Sequence, residues 1–190
     1  MPHRARLLAL LDALQPADAQ EAADVIRTRD LARAVPHCFG EAHPHGHITG
    51  SAFVLDPQGR LLLTHHKKLN RWLQVGGHSE PHEHDPVQTA LREAAEESGL
   101  TDLRLAPGAP APLDLDVHRI PARGERAAHD HHDVRYLLLT DTPEKIEVTA
   151  ESHSLRWVPL DDLEGLGLMA EPAMARALNK VRAWWATSGR

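Results

Sequence analysis

The segment that most constrains this chain is Asp85 to Leu100, DPVQTALREAAEESGL. Asp85 is a side-chain acceptor at the position before a helix, and Pro86 sets the first helical residue. Gly99 supplies the stop, because a left-handed closing residue costs glycine nothing. The spacing therefore predicts a helix ending near Ser98. Successive residues of a helix are turned by about 100°, so with Glu93 at zero, Glu97 lies about 40° to one side and Glu96 about 60° to the other. Arg92 falls just beyond Glu96. Val87, Ala90, Leu91 and Ala94 fall on the opposite side as a buried stripe. One face is acidic, the other is core.

A solvated charged surface is the simplest account of such an acid face. Two physical points oppose it. Like charges three and four residues apart destabilise a helix by a few tenths of a kcal/mol per pair. These acids also stand in the last turns, where the helix dipole favours cations. A divalent cation shared by the carboxylates turns the repulsion into coordination, and magnesium takes hard oxygen ligands together with substrate phosphates.

The rest of the chain frames this helix. Leu7, Leu8, Leu10, Leu11 and Leu14 give residues 4–14 an apolar helical stripe, ended by Pro16. Asp18 to Glu21 reads as a capping box opening a second helix to about Ala34. His43 to His47, HPHGH, reads as a polar hinge, so residues 1–44 form a helical N-terminal extension and 45–190 the main domain. ITGSAFVLD and LLLTHH flank the turn signal DPQGR and predict a hairpin. RWLQV is a short strand entering Gly76-Gly77. LRLA, PLDLDVHRI, VRYLLLT and LRWVPL read as further strands, PLDDLEGL as a helical turn, and residues 171–186 as a final helix. Strands alternating with sparse helices indicate a mixed α/β sandwich.

Composition narrows the partners. A formal net charge of −6 speaks against duplex nucleic acid, but not against an anionic small molecule, because a bound cation reverses the local field. No apolar run is long enough to span a membrane. The N-terminal apolar run is short and interrupted by Asp12, so it reads as an amphipathic helix rather than an export signal, and a single cysteine, Cys38, builds no intramolecular disulfide framework. The expected location is the cytoplasm.

Upstream residues sharpen the reading of the acid face. Gly76 to Leu100, GGHSEPHEHDPVQTALREAAEESGL, resembles the Nudix box of the Nudix hydrolases. Gly77, Glu83, Arg92, Glu93, Glu96, Glu97, Gly99 and Leu100 answer its pattern, and HITGSAFV, HHKKLNRWLQVGGHSE and HHDVRYLLL look like a histidine-rich branch of the family. Eight residues separate Glu83 from Arg92, where the family has seven, and Val75 stands where a proline is usual. The resemblance covers roughly residues 47–165.

The resemblance implies a Nudix-type α/β/α sandwich with a mixed sheet and a divalent-metal-dependent pyrophosphohydrolase. Glu93, Glu96 and Glu97, with the carbonyl of Gly76, are then expected to hold Mg²⁺ or Mn²⁺. Arg92 is expected to pair with Glu83, while Gly77, Glu83 and Gly99 shape the box. Glu93 and Glu151 are the candidate bases. Lys67, Lys68 and Arg71 are candidates to meet outer phosphates, with a solvated turn as the equal alternative. Trp72 and Trp157 are expected in the core. His82, His84, His129, His131 and His132 lack the framework of a zinc site and are expected to be solvated loop residues, with a strand-end position facing the site noted for His131.

Two other functions fit the resemblance. One is a non-catalytic Nudix module that senses a nucleotide or binds a protein. The other is an isoprenoid diphosphate isomerase, disfavoured because that chemistry wants a pocket acid such as cysteine and Cys38 lies outside the main domain. The expected partner is a small-molecule diphosphate, and a homodimer is possible. For the N-terminal helices, covering the sheet, dimerisation and gating all remain open.

Overall fold

The computed structural model describes residues 2–40, 43–66, 70–124, 126–147 and 154–189. Four helices, α1 (Pro2–Ala13), α2 (Ala19–Ala34), α3 (Pro86–Ser98) and α4 (Pro172–Thr187), surround one eight-stranded sheet. Its strands are β1 (Gly46–Leu55), β2 (Arg60–His66), β3 (Arg71–Leu73), β4 (Val75–His78), β5 (Arg104–Leu105), β6 (Asp114–Ile120), β7 (His129–Leu139) and β8 (Leu155–Pro159). The path β3-β2-β1-β7-β5 forms the spine, with β4 also on β1, β6 also on β7 and β8 also on β2. β1 and β7 run parallel, and the other pairs are antiparallel.

Side chains alternate between the two faces of a strand, and here both faces are covered. Ile48, Ala52 and Val54 of β1, with Val134, Tyr136 and Leu138 of β7, join a cluster that includes Ala90 and Ala94 of α3. Phe53 and Leu55, with Leu137 and Leu139, turn the other way and meet Ala177, Leu178 and Val181 of α4. Burial on both faces explains why β1 is apolar or small almost throughout, with all ten positions buried. Trp72 packs against the α4-side cluster and Trp157 against the other, so both tryptophans serve the core. Trp184 also belongs to the α4-side core.

Helices α1 and α2 share the core of the sheet. Leu7, Leu11, Leu14, Val25 and Ala32 sit in the same cluster as Ile48 and Leu115, and fully burying one such leucine is worth about 1.5–3 kcal/mol. Polar ties reinforce the docking. Asp18 caps α2 by accepting from the Glu21 amide at 2.7 Å, while the buried Glu21 carboxylate accepts from the Leu115 amide of β6 at 3.2 Å. The Thr28 hydroxyl lies 2.8 Å from Nδ1 of His132 on β7.

Three local expectations change. The hinge assigned to His43–His47 gives up Gly46 and His47 to β1, and the strand expected from Val134 begins five residues earlier, at His129. Both shifts have one cause: Gly46 to Leu55 pairs continuously with Asp130 to Leu139, which draws polar residues into the ladder. The strand RWLQV divides at Gln74 into β3, paired with β2, and β4, paired with β1.

Candidate active site

Helix α3 forms as its ends dictate. The Asp85 carboxylate accepts from the Val87 amide, Pro86 opens the first turn, and Gly99 closes the helix at φ 76°. The helix rides close to β1 because Gly50 has no side chain there. A Cβ at that position would lie 2.4 Å from the Pro86 carbonyl oxygen.

Strand β4 meets the charged side of α3 one residue at a time. The Gly76 amide donates to Glu97 Oε1 at 2.9 Å. Gly77 leaves the space that Glu93 occupies, since a Cβ there would stand 2.5 Å from its Oε1. The His78 carbonyl accepts from Arg92 Nη2 at 2.7 Å. The glycine pair is therefore required by close approach on two sides, as a Cβ on Gly76 would strike Ser51 of β1.

Arg92 holds three carboxylates. Its Nε donates to Glu83 Oε1 at 2.9 Å and its Nη2 to Glu83 Oε2 at 3.1 Å and to Glu93 Oε1 at 3.0 Å. Its Nη1 donates to Glu96. Glu83 is further held by the Glu80 amide at 2.9 Å and the Thr89 hydroxyl at 3.1 Å. Burial alone would raise the Glu83 pKa, but the Arg92 guanidinium and these donors outweigh it and hold the carboxyl below its usual range. Burial likewise works against the charge on Arg92, and its carboxylate partners overcome it, so the guanidinium is firmly protonated. One cation among Glu83, Glu93, Glu96 and Glu97 leaves the cluster anionic.

The acids do not share one environment. Glu93 and Glu97 line a cleft of about 610 Å³ together with Gly76, Gly77, His78 and Asp133, whereas Glu96 is exposed and turned to Arg92, away from the cleft lining. Arg71 is exposed on β3 and is not among the cleft-lining residues. Lys67, Lys68 and Glu151 lie outside the described residues.

The sequence alone does not mark the polar part of the cleft lining around Asp133. Asp133 of β7 accepts from Ser51 Oγ at 2.8 Å, Thr49 Oγ1 at 3.2 Å, Gln74 Nε2 at 3.3 Å and Arg135 Nε at 3.0 Å. Behind it the buried Arg135 reaches Asp116 at 2.9 Å and Asp114 at 3.3 Å, and Arg176 of α4 takes Asp114 at 2.8 Å. Burial would raise the Asp116 carboxyl, but His118, 2.9 Å away, and Arg135 bring it down to about 2. The period-two spacing of Asp133 and Arg135 in HHDVRYLLL is the sequence signal for this shared face. It becomes legible only once β7 is known to begin at His129.

The histidines require a correction. His82 is an exposed loop residue, as expected, and His84 is half-buried in the loop. His129, His131 and His132 are strand residues, with His129 and His132 buried. Parallel pairing with β1 inserts them into the sheet: His131 stands opposite His47 and His132 opposite Ile48.

Fold and site together define a two-sided mixed-sheet sandwich with a carboxylate-bearing helix docked on a glycine-rich strand at the mouth of a cleft. The NUDIX domain model matches residues 46–183, and the chain belongs to the Nudix family as a pyrophosphohydrolase. Solved structures agree on the fold. A Caenorhabditis elegans Ap4A hydrolase in a binary complex is 20% identical with a TM-score of 0.57, over 73% of this chain and 97% of that one. A NUDIX-family hydrolase from Clostridium perfringens is 24% identical with a TM-score of 0.52, over 73% and 98%. The NUDIX domain of Shewanella oneidensis NrtR complexed with ADP ribose is 19% identical with a TM-score of 0.52, over 81% and 97%. No curated protein sequence matches the chain. Among the described residues, no helix is long and apolar enough to cross a membrane.

Proposed function

We propose that the protein hydrolyses a diphosphate linkage in a nucleoside diphosphate derivative or related compound, with Mg²⁺ or Mn²⁺ held at the Glu93–Glu97 wall of the cleft. The observation that carries this reading is the docking of β4 on α3, which brings Glu93 and Glu97 to the same cleft beside Gly76. The donor set fits a hard cation, since carboxylate oxygens and a glycine carbonyl are the ligands such ions take. Glu93, Glu97 and the Gly76 carbonyl would hold it, with Glu96 joining by release from Arg92. When bound, the cation neutralises phosphoryl charge and lowers the pKa of a water.

The residues divide the remaining work. Arg92 fixes the orientation of Glu93 through Oε1, and Glu83 fixes Arg92. Glu93 is the candidate base within the cleft, and Glu151 is the alternative. Ser51, Thr49 and Gln74 bind and orient the Asp133 carboxylate in the cleft lining. The names of the related structures, Ap4A hydrolase and a complex with ADP ribose, suggest where a substrate panel should begin.

The test is turnover of dinucleoside polyphosphates, nucleoside diphosphate sugars and non-nucleotide diphosphates with Mg²⁺ and Mn²⁺, repeated with Glu97→Gln. Loss of turnover in the variant is expected. Unchanged turnover would remove Glu97 from the site. Binding of a nucleotide without turnover of any panel member would favour the sensor reading.

The isomerase reading loses its acid. Cys38 is buried, with its thiol pushed up to about 11 by desolvation. It lines a separate cavity of about 620 Å³ with Pro36, Phe39 and His84, and this cavity shares no lining residue with the cleft.

A further inference from the structure

Beside the carboxylate wall, the same sheet face carries a cluster of histidines that the proposed hydrolysis does not use. His47 of β1 and His131 of β7 are register partners, and His129, two residues before His131, faces the same way. His78 of β4 pairs with Thr49, two residues after His47, and completes the group. Ring centroids are 4.8 Å apart for His47 and His131, 5.3 Å for His47 and His129, and 4.9 Å for His78 and His131.

The nitrogens, rather than the rings, point to a ligand. One nitrogen each from His47, His129 and His131 lie within 4.8 Å of one another. His47 is fully buried, and among the described residues neither of its ring nitrogens has a hydrogen-bond partner. Nδ1 of His129 lies 2.9 Å from the Ala127 carbonyl, which can only accept, so Nδ1 carries the proton and Nε2 presents a lone pair. That Nε2 is buried and has no hydrogen-bond partner among the described residues. An unsatisfied buried polar atom costs about 1–3 kcal/mol, so leucine or phenylalanine would fill this space at lower cost if packing were the only demand. A histidine fixed through one nitrogen by a carbonyl is also the arrangement that orients a metal-bound imidazole.

We propose that His47, His129 and His131 form a transition-metal site, with Zn²⁺ the natural occupant and His78 placed to serve as fourth donor. His78 Nε2 stands 3.3 Å from His131 Nε2, and nitrogens bound to one tetrahedral zinc at about 2.0–2.1 Å are about 3.4 Å apart. Bringing the other nitrogens from within 4.8 Å of one another onto one ion requires the rings to move. Imidazole donors suit zinc and other transition metals, whereas carboxylates suit magnesium or manganese, so the two groups sort cations by ligand hardness. The bound ion would tie β1, β4 and β7 together beside the cleft. This inference needs only the histidines and does not rest on the hydrolysis reading.

The experiment uses the full chain, stripped with a chelator and then kept in excess Mg²⁺ to occupy the carboxylates. Zn²⁺ is titrated against a chromophoric competitor, and Co²⁺ is followed by its visible absorption. Wild type and Glu97→Gln are expected to take up one tight equivalent, with the intense Co²⁺ bands of four-coordination. His129→Gln and His131→Asn are each expected to lose about tenfold or more in affinity. Because either variant can fail to fold, imidazole ¹⁵N spectra of wild type give a second reading, in which Zn²⁺ should shift His129 Nε2 and leave Nδ1 protonated. The proposal falls if Zn²⁺ is not retained in excess Mg²⁺, if both folded histidine variants retain it fully, if Glu97→Gln abolishes it, or if His129 Nε2 does not respond.

Discussion

The two walls of the cleft are built by opposite strategies. The carboxylate wall comes from one helix and the strand beside it. Its charges are met locally: Glu97 by a backbone amide, and Glu83, Glu93 and Glu96 by Arg92. The other wall comes from β1, β6 and β7, where Thr49 reaches Asp133 across 84 positions of sequence. Asp114, Asp116, Asp133 and Arg135 there are buried, and some ring nitrogens have no partner among the described residues. The partly exposed Glu93 and the exposed Glu96 tolerate crowding because water and one guanidinium screen them, and the buried Glu83 because that guanidinium pairs with it. Desolvated imidazoles tolerate it as neutral rings: loss of water pushes the buried His47 down to about 3 and the half-buried His131 to about 2, with the neighbouring histidines adding to the shift. The first wall should therefore govern turnover, and the second the integrity of the fold.

The largest test of that division is Arg135→Met. It leaves Asp133, Asp116 and Asp114 without their shared cation, and breaking a buried ion network costs about 3–5 kcal/mol. Chemical denaturation should show that loss. A fall in activity with stability unchanged would erase the distinction between the walls. Next comes Glu97→Gln, expected to lower kcat by roughly 100-fold or more while shifting the melting temperature little. Steady-state kinetics and calorimetry on the same sample separate the two effects.

A pH titration of stability sharpens the comparison further. The unfolded chain takes up protons on histidine below about pH 6.5, while folded His47 resists protonation down to about 3. Stability attributed to His47 is thus complete above pH 6.5 and declines as pH falls, by about 1.4 kcal/mol per pH unit until the folded value is reached. Melting of chelator-treated protein between pH 7 and 5 should show the decline. A flat profile would mean that the rings are not held neutral by burial. Smallest is Asp85→Ala, which removes the cap of α3 and should cost about 1 kcal/mol, read by thermal melting with kcat nearly unchanged.

What could be read in advance follows the range of the interactions. α3 was legible to the residue: Asp85, Pro86 and Gly99 mark its ends, and its apolar stripe faces the core. Gly76 and Gly77 were legible as motif positions, but the reasons for them, Ser51 on one side and Glu93 on the other, emerge only from packing. Helical angle and motif position both group Glu96 with Glu93 and Glu97. Arg92, four residues earlier, draws it away from the cleft. The histidines of β7 were hidden because polar residues at the head of a strand resemble a loop until a partner strand is supplied.

The sequence by itself determined the acid-bearing helix, its caps and its kinship to the Nudix box, since helix geometry fixes relative positions from spacing alone. Only the tertiary structure decided that His47, His78, His129 and His131 meet, and that Asp133 lines the same cleft as Glu93 and Glu97. Strand neighbours are chosen by pairing between distant segments, and no local rule encodes which residues will stand side by side.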